Sequence, residues 1–214
     1  MNAALLALIV GSYLLGSIPT GVVLAAAMGR QDIRTAGSGN IGATNAARVL
    51  GKKFGACTFL GDMLKGYVPV LAARMLLTDT HDPGSVQLAA ALCGCAAFIG
   101  HLYPIYLRFR GGKGVATACG IMLALEPAII PVLLIVFIGV AAVSRYVSLA
   151  SLVSACALPL LLLGVDALVH PVAPPVVGLG FAMGVLVFIK HRSNIERLVQ
   201  GTESRIGSKK TAAP

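Results

Sequence analysis

Long apolar runs, interrupted by short clusters of charge, glycine and proline, make up nearly the whole chain, at about residues 3–29, 54–78, 85–107, 114–125, 127–143, 147–164 and 174–190. Crossing the hydrocarbon core of a bilayer takes roughly 20 apolar residues as a helix, and several runs approach or exceed that length. The pattern predicts an all-α integral membrane protein, a bundle of seven transmembrane helices joined by short loops. Residues 1–200 form one domain in this reading, and 201–214 a polar, basic tail. The fourth and fifth runs are short for full spans, which suggests tilting, partial re-entry or a tight turn at Glu126 and Pro127; a five-span arrangement is the alternative.

Composition agrees, since 57% hydrophobic and 12% charged residues in a 214-residue chain leave too little polar surface for a water-soluble domain. Met1 to Met28 lacks the basic start of a signal peptide and stays apolar beyond a signal's length, so it reads as a retained first helix. The five cysteines, Cys57, Cys93, Cys95, Cys119 and Cys156, lie in apolar segments and indicate neither a disulfide framework nor a structural zinc.

Charge supplies an orientation. Of the 17 Lys and Arg residues, Arg30, Arg34, Arg48, Lys52 and Lys53 fall in the first loop, and Arg108, Arg110 and Lys113 in the third. Arg145 falls in the fifth loop, and Lys190, Arg192, Arg197, Arg205, Lys209 and Lys210 in the C-terminal region. Loops on the other side, around Thr78 to Gly84, Glu126, and Val165 to Pro175, carry none. Basic residues stay in cytoplasmic loops, so the count predicts an external N-terminus and a cytoplasmic C-terminus. The net charge of +9 then reflects topology and attraction to anionic membrane lipid, with no need to invoke nucleic acid. Two cations lie inside runs: Arg74 near an outer end, able to snorkel, and Lys65, three residues from Asp62 and able either to pair with it or to meet substrate.

Two loops on the basic side carry anion-binding chemistry. The first contains Gly37, Ser38, Gly39, Asn40, Thr44, Asn45 and Arg48 around a short Ala-rich stretch able to be helical, which would aim free N–H groups and Arg48 at an anion. Its G-x-G-x-x-G match lacks the strand of a dinucleotide fold. The third loop reads Arg108-Phe109-Arg110-Gly111-Gly112-Lys113-Gly114, where glycines let backbone amides approach a phosphate that the lysine neutralises. It is not a Walker A loop, because Gly114 stands where Ser or Thr is required. Ser144 and Arg145 end the fifth helix; His191 and Asn194, three apart, leave the seventh on one face. His101 reads as a residue bonded within the bundle. A carrier of phosphorylated solutes is the competing class, but it would need anion sites reaching both sides and internal repeats, whereas these residues cluster on one face.

Gly16-Ser17-Ile18-Pro19-Thr20-Gly21, the GSGNIGATNAAR loop, GHLYPIYLRFRGGKGVAT, SRYVSLAS and KHRSNI, in this order, resemble the bacterial PlsY family over residues 12 to about 200. The resemblance implies a seven-helix enzyme of the inner membrane with a cytoplasmic site. It would transfer a fatty acyl group from acyl phosphate to the 1-hydroxyl of sn-glycerol 3-phosphate, giving lysophosphatidate and phosphate without metal or other cofactor. By that likeness Arg48, Lys113, His191 and Asn194 would hold phosphate, Ser38 and Asn40 would shape the pocket or bind the acyl-phosphate head, and Ser144 and Arg145 would belong to the site. Gly37, Gly39, Thr44, Asn45, Gly111, Gly112 and Gly114 are the remaining expected substrate contacts. No Ser-His-Asp set is evident, and the nearest His-acid pair, His191 and Glu196, lies five apart, where helical side chains diverge. Direct transfer, with the acceptor's own phosphate taking the proton, is therefore the expected mechanism.

Overall fold

A computed structural model describes residues 3–77 and 83–207. The expected Lys209 and Lys210 of the tail, and most of the Thr78 to Gly84 loop, lie outside the described residues. All seven apolar runs are helical: α1 (Ala3–Ser17) with α2 (Thr20–Ala27), then α4 (Lys52–Leu76), α5 (Pro83–Leu102), α6 (Val115–Leu125), α7 (Ile130–Ser144), α8 (Val147–Leu168) and α9 (Pro174–Lys190). Two short amphipathic helices, α3 (Ala43–Leu50) and α10 (Arg192–Val199), lie on the basic face.

By length and composition, however, the described residues hold three helices able to cross a membrane, or five if each of two bent pairs is one span, against the seven expected. α6 is 11 residues long, about 16 Å, and is too short to cross by itself. α4 is long enough but carries Asp62, Lys65 and Arg74. The first run, expected as one helix, bends by 55° between α1 and α2. Pro19 explains the break: it has no N–H to donate and its ring crowds the carbonyl four residues back. At the break the Ile18 carbonyl accepts from the Thr20 N–H at 3.0 Å and also from Lys65 Nζ at 2.8 Å.

That bond answers the question Lys65 posed. Its ammonium also lies 2.9 Å from Asp62, and both side chains are buried, so the pair is an internal clamp between α4 and the α1–α2 break. Arg74 likewise ties helices together, donating to the Ala124 carbonyl at the end of α6 at 2.5 Å. The core groups Val70, Phe98, Leu102, Ile121, Met122, Leu162 and Met183 from α4, α5, α6, α8 and α9. α5 carries the third loop on its end: His101 is fully buried and its carbonyl accepts from the Gly112 N–H at 3.0 Å.

Candidate active site

The first loop is organised by one buried side chain. Asn45 Oδ1 accepts from the Ser38 N–H at 2.8 Å, and Nδ2 donates to the carbonyls of Ile33 (2.7 Å), Asn40 (2.8 Å) and Ala36 (3.2 Å). Asn45, expected to touch substrate, is thus committed to folding the loop. Gly37 has a left-handed φ of 67°, and a Cβ there would come within 2.1 Å of Asn45 Oδ1, so only glycine fits. Asn40 Oδ1 accepts from the Gly42 N–H at 2.9 Å just before α3, whose first turn carries no side-chain cap. Ser38, Gly39, Thr44 and Arg48 are exposed on the outer surface of this fold.

The third loop is seated instead on α5. A Cβ on Gly112 would reach within 2.1 Å of His101 Nε2, which is why the chain can settle here and turn Lys113 inward. Gly111 packs against the His101 carbonyl in the same way, and Gly114, at φ 86°, begins α6. The free N–H groups of the first turn of α6 therefore follow Lys113 directly.

Lys113 Nζ donates to Asn194 Oδ1 at 2.5 Å across 81 residues of sequence, which joins the third loop to α10. Asn194 is buried; its Nδ2 donates to Glu203 Oε1 at 2.6 Å. Glu203 also accepts from Ser148 Oγ (2.8 Å) and from Arg197 Nε (2.6 Å). His191 is buried at the junction of α9 and α10, with Nδ1 2.8 Å from the Val187 carbonyl. Because a carbonyl only accepts, Nδ1 carries the proton and Nε2 of the neutral ring is left as an acceptor.

Electrostatics sharpen these roles. Burial pulls Lys113 down to about 8; Glu203 opposes that shift, and Arg197 and Arg48 add to it. Burial pulls His191 down to about 4, reinforced by Lys113, so the imidazole is uncharged at neutral pH. The ring thus presents Nε2 as a hydrogen-bond acceptor. Burial disfavours charge on Glu203, but its bonds from Asn194, Ser148 and Arg197 outweigh that and hold the carboxyl below its ordinary value.

Ser144 and Arg145 are held by backbone groups. The Ser144 hydroxyl donates to the Val140 carbonyl at 2.6 Å, and Arg145 Nη2 donates to the Ile206 carbonyl at 2.8 Å. Glu196 pairs with Arg192 at the surface (3.2 Å), so no dyad with His191 forms. Sequence reasoning missed Glu203, Arg197 and Ser148. The available signal was Gly201, a helix stop after α10, followed by the sole acidic residue of an otherwise basic tail.

Beside Lys113 and His191 an apolar cavity of about 300 Å³ runs between α6, α7, α8 and α9. Val115 and Val187 line it two and four residues from Lys113 and His191, Met122 and Met183 line it farther along α6 and α9, and Ile130 and Leu158 line it from α7 and α8. A cation-bearing cluster beside an alkyl-lined groove between helices is the arrangement of an enzyme that handles a ligand with an anionic head and an apolar chain.

Comparison with known proteins gives the family. A profile described as glycerol-3-phosphate acyltransferase matches residues 6–201, and the chain belongs to that family. It is 49% identical over 194 residues to a glycerol-3-phosphate acyltransferase of Geobacter sulfurreducens, covering 91% of this chain and 93% of the relative. It is 48% identical over 206 residues to one of Bordetella pertussis, covering 95% and 93%. Two crystal structures of PlsY (YgiH), an integral membrane glycerol 3-phosphate acyltransferase, share the fold at 38% identity, with 96% of each chain covered. Their TM-scores are 0.84 for the glycerol 3-phosphate form and 0.82 for the lysophosphatidic acid form. Membership decides against the solute carrier that the basic loops alone left open.

Proposed function

We propose that this enzyme transfers a fatty acyl group from acyl phosphate to the 1-hydroxyl of glycerol 3-phosphate, at the cytoplasmic face of the bacterial inner membrane. The observation that carries this reading is the bonded Lys113–Asn194 pair lying close in sequence to Val115 and Val187, which line the apolar groove. Both substrates are phosphates and one carries an alkyl chain, so a polar pocket opening into a lipid-like groove suits the pair. Lys113, Asn194 and Arg48 hold phosphate, and the first turn of α6 adds N–H donors. Ser38, Gly39 and Thr44 lie exposed beside Arg48 and face the acyl-phosphate head.

Transfer is direct. The glycerol oxygen attacks the acyl carbonyl carbon, the bond from that carbon to the phosphate oxygen breaks, and inorganic phosphate leaves. His191 Nε2 accepts the hydrogen bond of the attacking hydroxyl and orients it. A group that titrates near 4 is too weak a base to take the proton, which passes to the acceptor's phosphate. Lys113 and Arg48 offset the charge that develops on the departing phosphate. Product formation from labelled glycerol 3-phosphate by purified protein, compared between acyl phosphate and acyl-CoA, tests the donor; equal use of both would sink it. Acyl label trapped on Ser38, Ser144 or a cysteine at a competent rate in the absence of acceptor would overturn direct transfer.

We infer seven crossings, with the N-terminus outside. α4 can take part because Asp62 and Lys65 neutralise each other inside the bundle, and α6 because it packs against α4 and α5 rather than lipid. A single cysteine at His170 should react with an impermeant reagent in intact cells while one at Arg110 is protected. Labelling at Arg110 alone would reverse the orientation.

A further inference from the structure

Beyond α10 the chain does not trail away. Gly201, at φ 70°, ends the helix, and the N–H groups of Thr202 and Glu203 both turn back to the Arg197 carbonyl, at 2.8 and 3.2 Å. This reversal directs Glu203 under α10, where its side chain is 8% exposed. The next residues are pinned to the α7–α8 turn: Ile206 N–H donates to the Arg145 carbonyl (2.7 Å), and Arg205 Nε donates to Tyr146 Oη (2.9 Å). One carboxylate thus meets three parts of the face. It takes Ser148 from α8, Arg197 and Asn194 from α10, and through Asn194 it reaches Lys113 of the third loop. Glu203 lies two residues beyond the stretch that the family profile matches.

We propose that Glu203 is a positioning residue for acyl transfer: it locks the Asn194 amide with its oxygen toward Lys113, and so aims the lysine at the substrate phosphate. This rests on the reading that Lys113 and Asn194 hold that phosphate. The physical reason is the asymmetry of an amide. Nδ2 can only donate and Oδ1 can only accept, so a carboxylate on one side dictates what faces the ammonium on the other. Without it the amide is free to turn over and set N–H groups against Nζ. The carboxylate also contributes charge. The groups acting on Lys113 are Arg48 from α3, Arg197 from α10, His191 at the α9–α10 junction and Glu203, and among these Glu203 alone favours the ammonium.

The test is a pH–activity profile of the full-length enzyme in detergent or vesicles, with glycerol 3-phosphate varied. Lys113 works as a cation, so activity falls as pH rises through its pKa, about 8 in the intact protein. Removing the neighbouring negative charge should move that alkaline limb to lower pH by about one unit. Glu203→Gln should move the limb and raise KM for glycerol 3-phosphate, while still offering an oxygen to Asn194 and Ser148. Glu203→Ala should move it equally and also lower kcat about tenfold or more, since the amide is no longer aimed. Glu196→Gln, which removes an exposed carboxylate from α10, should leave both limb and KM unchanged. If Glu203→Ala fails to insert, Glu203→Gln carries the test alone. Wild-type limb and KM in Glu203→Gln, alongside inactive Lys113→Ala and Asn194→Ala, would overturn the proposal and spare the pocket. Full activity in Lys113→Ala and Asn194→Ala would instead remove the pocket assignment on which it stands.

Discussion

The two glycine-rich loops of the basic face are built in opposite ways. The first, from Ala36 to Arg48, is held from within: Asn45 bonds to four backbone groups no more than 12 residues away, and the candidate ligand-binding side chains point outward from that frame. The third, from Arg108 to Gly114, has no such internal organiser. It rests on buried His101 below, and its one inward cation is met from across the face by Asn194. Loops of similar composition can therefore divide the labour. One carries its scaffold and displays its chemistry; the other borrows a scaffold and buries its chemistry. A half-buried ammonium is less solvated and more sensitive to each neighbour, which suits Lys113 to the step where charge develops.

Substitutions can break this contrast. The largest effect is expected for Lys113→Ala, a loss of about a hundredfold in kcat/KM with insertion intact, because a charged donor to phosphate is worth up to about 3 kcal/mol. Assay of detergent-purified protein at normal yield checks it, and near-wild-type turnover would move the phosphate pocket elsewhere. Asn45→Ala should act on the fold: leaving the Ser38 N–H and three carbonyls without their partner costs about 2–3 kcal/mol, read as a lower unfolding temperature. Activity per folded molecule should fall much less than in Lys113→Ala; the reverse order would put Asn45 in the site. Arg48→Ala, exposed and outside the buried cluster, should lose only about tenfold, with a rise in KM as the main change. Arg74→Ala should change turnover by less than about twofold, since its bond to Ala124 lies at the opposite end of the bundle and an ordinary hydrogen bond contributes about 1 kcal/mol. A large loss of turnover there would link the two ends.

Periodicity and composition were sufficient for the helical membrane class and for all seven helical segments, because burying backbone in lipid leaves a chain of this length few alternatives. The likeness to the PlsY motifs is what brought Lys113, His191 and Asn194 into one group. Properties that depend on contacts between distant segments were not legible. The bend at Pro19 could be suspected from the proline, but that the Ile18 carbonyl at the bend serves Lys65, 47 residues away, required the packed bundle. Asn45 read as a ligand because its type suits one, and only the folded loop revealed that its amide is fully engaged. For His191 the sequence could not say which ring nitrogen carries the proton; the bond to Val187 assigns it to Nδ1. Glu203 lay in a tail that composition marks as polar and basic; a two-residue reversal after Gly201 sends it back to Ser148, 55 residues earlier. Local sequence dictates which backbone conformation is cheap and which faces are apolar. Which donor meets which acceptor is decided by tertiary packing, because a hydrogen bond needs its partners within about 3 Å, and no spacing along the chain can state that distance.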